Sequence, residues 1–471
     1  MLFLPPRRQL FILLFASLTV FLCISFLATD VGSTALTTVK TKVSETASHV
    51  INNTNPPKGT TVDVNAKKYK PTPTYTPPPV QDPFPLLATS TPPPIPKWNA
   101  PRENLHKDYG LEYAPPLLIG FTRTYPVLLQ AVVSYITSGW PPSQIYVVEN
   151  TGVQQANTRR QLSLQNPFFL DHAALGKLGV NIVQTPALLN FAQLQNLYLS
   201  MSYARNWTYY FWSHMDVLAL PYEDGLEGVT PRYDEPGYRS LYEAACRAAN
   251  ETLAADPRWG IRLFAYDHLA LVNRAAYEDV GGWDTLIPYY MTDCDMHSRL
   301  EMAGWTLREA RAGVVTDVNT VLKDLRALYR DPAVVPEFLD PNPPPPPPPP
   351  SEEEKKDDKP DGAGAGGVKD KREGEGEDAN MVYYHKLRDV ANSMFHYKHG
   401  ERGRNTWQLG QQGGEGEPFY YPAAGIAQGM DMLTETGRQV FRKKWGWAGC
   451  DILGEQAQRK LGDEWRVEEK R

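Results

Sequence analysis

From about residue 115 onward, short apolar runs alternate with longer amphipathic ones. Leu117-Leu118-Ile119-Gly120-Phe121 is an uninterrupted apolar run with the length of a buried strand. Pro126 follows at an early helical position, where its missing N–H leaves no bond unmade. Leu128, Leu129, Val132, Val133 and Ile136 then recur at helical spacing until Gly139. Ile145-Tyr146-Val147-Val148 predicts a second buried strand and Asn181-Ile182-Val183 a weaker third. Phe191, Leu194, Tyr198, Met201 and Ala204 make an amphipathic helix leading into a fourth strand, the aromatic run Tyr209-Tyr210-Phe211-Trp212. This alternation predicts an α/β fold with a mostly parallel sheet flanked by helices. Farther on, 261–266 and 269–272 read as strands, 274–280 as a short helix and 281–284 as a turn. Residues 293–303 read as a helix capped by Thr292 and ended by Gly304.

The flanks read differently. Residues 1–9 carry Arg7 and Arg8, and residues 10–28 form an apolar run without charge, close to the ~20 residues needed to cross a bilayer. Arginines on the N-terminal side favour a cytoplasmic N-terminus and a signal anchor. The competing reading is a cleaved signal peptide ending at Ser25-Phe26-Leu27-Ala28. Either way the remainder is expected to be lumenal or extracellular, which fits the Asn-x-Ser/Thr triplets at Asn52, Asn206 and Asn250. Residues 29–114 are rich in Thr, Pro, Ser and Asn and read as a disordered stem. The main part of the domain is expected over 115–341. A proline run followed by glycines and alternating charges marks 342–380 as a disordered insertion. Aromatic residues return after it, so 381–471 reads as the C-terminal part of the same domain. Loop closure grows costlier only slowly with length, so such an insertion is tolerable.

Composition narrows the classes. The 42 prolines are nearly twice the usual share of ~5 % and gather in the stem and the insertion. Against 48 Lys and Arg stand 54 Asp and Glu, with no basic stripe, so no nucleic-acid partner is expected. Cys23 lies in the apolar run. Cys246, Cys294 and Cys450 lie outside it, which allows at most one disulfide among them and leaves a free thiol. No cysteine spacing resembles a zinc site.

In open α/β sheets ligands bind beyond the carboxyl ends of the strands. Thr122, Arg123, Glu149 and Asp216 fall at those ends. His214 and Asp216 share one side of an extended segment. A hard cation such as Mn²⁺ or Mg²⁺ bridging a diphosphate needs only one or two protein carboxylates. The plainer alternative is that Asp216 caps backbone N–H groups. Asp293 and Asp295 sit in a helical first turn, where dipole and capping favour acids regardless of function. Either could instead serve as a general base, and Arg299 can pair with Asp295 at i+4. The aromatics Trp207, Tyr209, Tyr210 and Trp212 read as core before they read as a stacking platform.

Gly281-Gly282-Trp283-Asp284, then Thr292-Asp293-Cys294-Asp295-Met296, Arg299-Leu300 and Ala303-Gly304-Trp305 resemble the acceptor-side signature of GT-A fold glycosyltransferases. His214-Met215-Asp216 is similar to that family's Asp-x-Asp metal motif. Phe121 to Tyr125 and Val148 to Gly152 are similar to its nucleotide-binding loops. The resemblance covers 115–318 and implies a nucleotide-sugar transferase of type II orientation in the Golgi membrane. It implies donor contacts from Thr122, Arg123, Glu149 and Asp216 and acceptor contacts from Gly282, Trp283 and Asp284. It further implies a metal on Asp216 and His214, Asp293 as base with Asp295 orienting it, and an inverting transfer. His385, His396 or His399 would supply a third metal ligand. The partners implied are a UDP- or GDP-sugar and a glycan or glycoprotein acceptor. His214 and Thr292 stand where the family carries acids, which leaves open a sugar-binding, lectin-like protein without turnover. A phosphotransferase is disfavoured, because no Gly-rich phosphate loop is present.

Overall fold

Apolar side chains alternate between the two faces of the central strands, so the sheet they build is covered on both sides. Its strands are β1 (Leu117–Phe121), β2 (Ile145–Glu149), β3 (Asn181–Gln184), β4 (Tyr209–Ser213), β6 (Trp259–Phe264), β7 (Leu269–Asn273) and β8 (Thr306–Glu309). A second, two-stranded sheet pairs β5 (Val217–Leu220) with β9 (Val314–Asp317). The computed structural model describes residues 67–69, 79–339, 378–400, 414–418 and 422–469. The large sheet runs β3-β2-β1-β4-β7-β6-β8. Only β7 is antiparallel to its neighbours; every other pair in that sheet is parallel.

The principal helices are α1 (Tyr125–Thr137), α2 (His172–Leu178), α3 (Phe191–Ala204), α4 (Leu241–Ala255), α5 (Arg274–Asp279), α6 (Thr292–Met302), α7 (Ala379–His399) and α8 (Ala423–Trp445). Leu117, Ile119, Phe121, Tyr209 and Phe211 enter the core shared with α1, α4 and α7. Leu118, Tyr210 and Trp212 enter the opposite core with α3, α5 and α6. The aromatic run is therefore core on both faces, and Trp207 is buried with it. Helix α3 lies so close on β1 that a Cβ at Gly120 would stand 2.6 Å from Leu194 Cδ2, which explains a glycine inside an otherwise apolar strand.

The sequence-derived elements recur with shifted ends. The strand expected at 261–266 runs as β6 to Phe264, and Ala265 and Tyr266 instead turn the chain with positive φ. Thr292 is the first residue of α6 rather than its cap; Met291 occupies the cap position at φ 70°, so no capping box forms. The expected stem gives way to folded chain well before 114. Phe84, Leu87, Leu105 and Leu111 are buried in the main core, because apolar residues interrupt the prolines there. Both the proposed anchor at 10–28 and most of the 342–380 insertion lie outside the described residues. No helix among the described residues is long and apolar enough to cross a membrane.

The chain after the insertion belongs to the same compact unit, Tyr75–Arg471. Helix α7 places Met381, Tyr384, Leu387, Ala391 and Met394 in the main core. Helix α8 adds Phe441 and Trp445 to a small core with Ile287, Cys294 and Ile452. Cys294 and Cys450 form the one disulfide the cysteine count allows, and Cys246 stays a buried free thiol.

Candidate active site

Charged groups converge at the carboxyl end of β4. Directly after β4 come His214, Met215 and Asp216, and β5 begins at once. Pairing of β5 with β9 sets Val217 opposite Asp317, and the Val318 N–H donates to the Asp216 carbonyl at 2.8 Å. That register brings the Asp216 and Asp317 side chains together. Because β7 runs antiparallel to β4, the β6–β7 hairpin returns to the same sheet edge with Tyr266, Asp267 and His268 at its tip. The His214 N–H donates to the His268 carbonyl at 3.1 Å. Beyond β1, Arg123 is buried and close enough to Asp216 and Tyr289 for both to act on its charge. Thr122 stands half-buried beside it.

Lys398, in the last turn of α7, fills the space between the two carboxylates. Its Nζ donates to Asp216 Oδ2 at 2.7 Å, to Asp317 Oδ1 at 2.5 Å and to the Val318 carbonyl at 3.3 Å. Burial opposes its charge, but Asp216 and Asp317 outweigh that and raise its pKa. Burial likewise raises the Asp216 pKa less than Lys398 and His214 lower it. His214 Nε2 lies 3.6 Å from Asp267 and Nδ1 lies 3.7 Å from Asp216. Burial works against the imidazolium, yet Asp267, Asp216 and Asp317 together lift its pKa to about 9. His268 goes the other way, lowered by burial and by His214.

A divalent cation on Asp216 and His214 does not fit this arrangement. One Asp216 oxygen is held by the Lys398 ammonium, which occupies the space a cation would need beside that carboxylate. Among the described residues no group of three or more His, Cys, Asp or Glu side chains is spaced to hold a metal ion. Of the three later histidines, only His399 reaches the cluster, at 3.3 Å from Asp317. His385 lies by Asp224, and His396 is exposed.

Asp293 and Asp295 separate cleanly. Asp293, half-buried in the first turn of α6, accepts a hydrogen bond from the Tyr266 hydroxyl at 3.0 Å. Tyr266 leads through its neighbour Asp267 back to His214, so Asp293 adjoins the strand-end cluster. Ala265 and Tyr266 both hold positive φ without being glycine, a strain that costs on the order of 1 kcal/mol or more each and fixes the hairpin tip. Asp295 is fully buried. It accepts from Arg299 Nε at 2.8 Å, from Trp445 Nε1 at 2.9 Å and lies 2.7 Å from Lys444. It joins α6 to α8 and does not reach the cluster's open side.

Two more expected contacts are placed elsewhere. Glu149, expected to touch the donor, has a fully buried side chain. It accepts from Asn157 at 2.8 Å, pairs with His172 at 2.9 Å and accepts from Gln184 at 2.9 Å. Trp283 is 3 % exposed and packs edge-on to Phe191. Gly282, Trp283 and Asp284 do border an open cleft with Arg299, Lys444 and Trp465, but Asp284 is bound there by Lys444 at 2.7 Å. That cleft shares no residue with the strand-end cluster.

No protein-family model and no curated protein sequence matches the chain. Among solved structures it is similar to a cytidylyltransferase from Leptospira borgpetersenii serovar Hardjo-bovis strain JB197. That match has 10 % identity, covers 42 % of this chain and 76 % of that one, and has a TM-score of 0.27. It is also similar to a mannosyltransferase from Pyrobaculum calidifontis in complex with GDP-Man and Mn²⁺. Identity there is 15 %, coverage 44 % of this chain and 61 % of that one, and the TM-score 0.26. At TM-scores this low neither likeness bears on activity.

Sequence reasoning missed Asp317, Asp267, Tyr266 and Lys398. The first three are brought in by strand pairing between distant segments, which no local pattern reveals. Lys398 carried a faint signal: it sits among His396 and His399 in a last helical turn, where basic residues are ordinary.

Proposed function

We propose that the chain transfers a sugar from a nucleoside-diphosphate donor to a hydroxyl of a glycan or glycoprotein, with inversion at the transferred carbon. The observation that carries this reading is the convergence of Arg123, His214, Asp216 and Lys398 beyond adjacent parallel strands, with Asp293 next to them on α6. Arg123, Lys398 and His214 supply cationic groups that a diphosphate can meet beside Asp216, Asp267 and Asp317, and the position beyond the carboxyl ends of β1 and β4 is where open α/β sheets take ligands. Thr122 lies within the same loop. Asp293 is the base: it is half-buried, hydrogen-bonded by Tyr266, and able to take a hydroxyl proton from an acceptor approaching over α6. The cleft at Gly282 and Asp284 is the place for the rest of the acceptor. A divalent cation would have to displace Lys398 to reach Asp216.

The protein acts from the lumenal side of the Golgi membrane, held by residues 10–28. The Cys294–Cys450 disulfide supports an oxidising compartment. Intact protein that resists carbonate extraction bears out the anchor, and release into the supernatant contradicts it. The enzyme reading is tested by incubating the purified chain with a panel of UDP- and GDP-sugars, in manganese and in EDTA, and measuring released nucleoside diphosphate. Release from one member of the panel is expected. A sugar-binding protein without turnover is the second reading, favoured by the occupation of Asp216 by Lys398; it binds a donor in this assay but releases nothing.

A further inference from the structure

We propose that the Lys398 ammonium takes the place of a divalent cation, receiving the donor diphosphate so that this site works without metal. The inference rests on the transferase reading above and deepens it. Three oxygens surround Nζ: two carboxylates, Asp216 and Asp317, and the Val318 carbonyl. Oxygen acceptors on converging strands are the ligand set a hard cation takes, and here they are spent on the three protons of an ammonium.

Lys398 is 8 % exposed, and lysine is seldom so buried unless paired. A buried ion pair is weak evidence for stability, because desolvation offsets the attraction. Its position supplies the other half of the case. Lys398 sits between the segment that follows β4 and the end of β9, with the His214 ring 3.7 Å from the far side of the same Asp216 carboxylate. The longest of its three bonds, 3.3 Å to a neutral carbonyl, is the one a phosphate oxygen displaces.

The chemistry balances without a metal. The bond between the sugar carbon and the bridging phosphate oxygen breaks, its electron pair staying on that oxygen. The acceptor oxygen bonds to the same carbon from the opposite face, and its proton passes to Asp293. One unit of negative charge thus builds on the diphosphate, and the Lys398 ammonium stabilises it where a Lewis acid otherwise would.

The test uses the full chain, UDP and GDP as probes, calorimetry in EDTA and in Mn²⁺, and electron paramagnetic resonance to follow free Mn²⁺. Wild type is expected to bind a nucleoside diphosphate with affinities in the two media within about twofold, while Lys398→Ala loses about tenfold or more in EDTA. In Lys398→Ala the vacated Asp216–Asp317 pair is expected to bind Mn²⁺ and to recover affinity with it, a gain that a purely structural lysine does not give. Lys398→Arg retains metal-free binding and keeps the comparison usable if the alanine variant does not fold. Wild-type binding that disappears in EDTA and returns with Mn²⁺ overturns the role given to Lys398 while leaving the transferase reading intact. Absence of UDP and GDP binding in every condition instead overturns the transferase reading, and this inference with it.

Discussion

Asp293 and Asp295 lie two residues apart on one helix and have opposite surroundings. Removing the charge of Asp293 is expected to leave the fold largely intact, because its side chain is only half-buried and its hydrogen bond from Tyr266 lies at the surface. Asp293→Asn is expected to lower turnover by ~10²–10⁴-fold with donor affinity retained, which steady-state kinetics and donor calorimetry check together. Asp295→Asn leaves the buried Arg299 without its carboxylate and Lys444 with Asp284 alone, so it is expected to lose on the order of 3–5 kcal/mol in denaturant unfolding. His214 gives a pH signature. Its folded pKa of about 9 stands above its ordinary value, so the protonated ring stabilises the fold. That contribution is complete below pH ~6.5 and is lost as pH rises through about 9. Wild type should therefore melt several degrees lower at the alkaline end of that window than at its acid end, and His214→Asn should flatten the slope.

The short strands and helices near the sheet were legible in the order of apolar residues, since β1, β2 and β4 are apolar runs of strand length and α3 is a pattern of period 3.6. The carboxyl-end positions of Thr122, Arg123 and Asp216 followed from them. What could not be read was pairing. The antiparallel insertion of β7 and the β5–β9 ribbon decide which loops meet, and they depend on contacts between segments far apart in the chain, such as Tyr209 with Asn273 and Val217 with Asp317. For the same reason Glu149 was legible as a strand-end acid but not as one consumed by His172, Asn157 and Gln184. At this scale the C-terminal elements matter most: α8 and the chain after it are fastened to α6 by Trp445 and by the Cys294–Cys450 bond. Cys294→Ser with Cys450→Ser is expected to cost about 2–4 kcal/mol, read as a lower melting temperature that wild type reproduces in dithiothreitol. Cys246, whose thiol burial pushes up to about 12, should stay unlabelled by thiol reagents until the protein unfolds.

Across the whole molecule, one compact unit is assembled from two stretches of chain separated by a polar insertion, and the second stretch delivers Lys398 to the site built by the first. Recognising that aromatic residues resume after the prolines was enough to join the stretches, but not to say what the second one brings. Chains lacking everything after the insertion should therefore lose donor binding as well as stability. Replacing 343–376 with a flexible linker should leave the melting temperature nearly unchanged. The most direct measurement of the central claim is hydrogen exchange with and without saturating UDP or GDP. Protection is expected in the backbone following β1 and β4, at the 265–268 hairpin and in the last turn of α7. Protection confined to the cleft at Gly282 and Trp465, or none anywhere, would contradict the placement of the donor at the strand-end cluster.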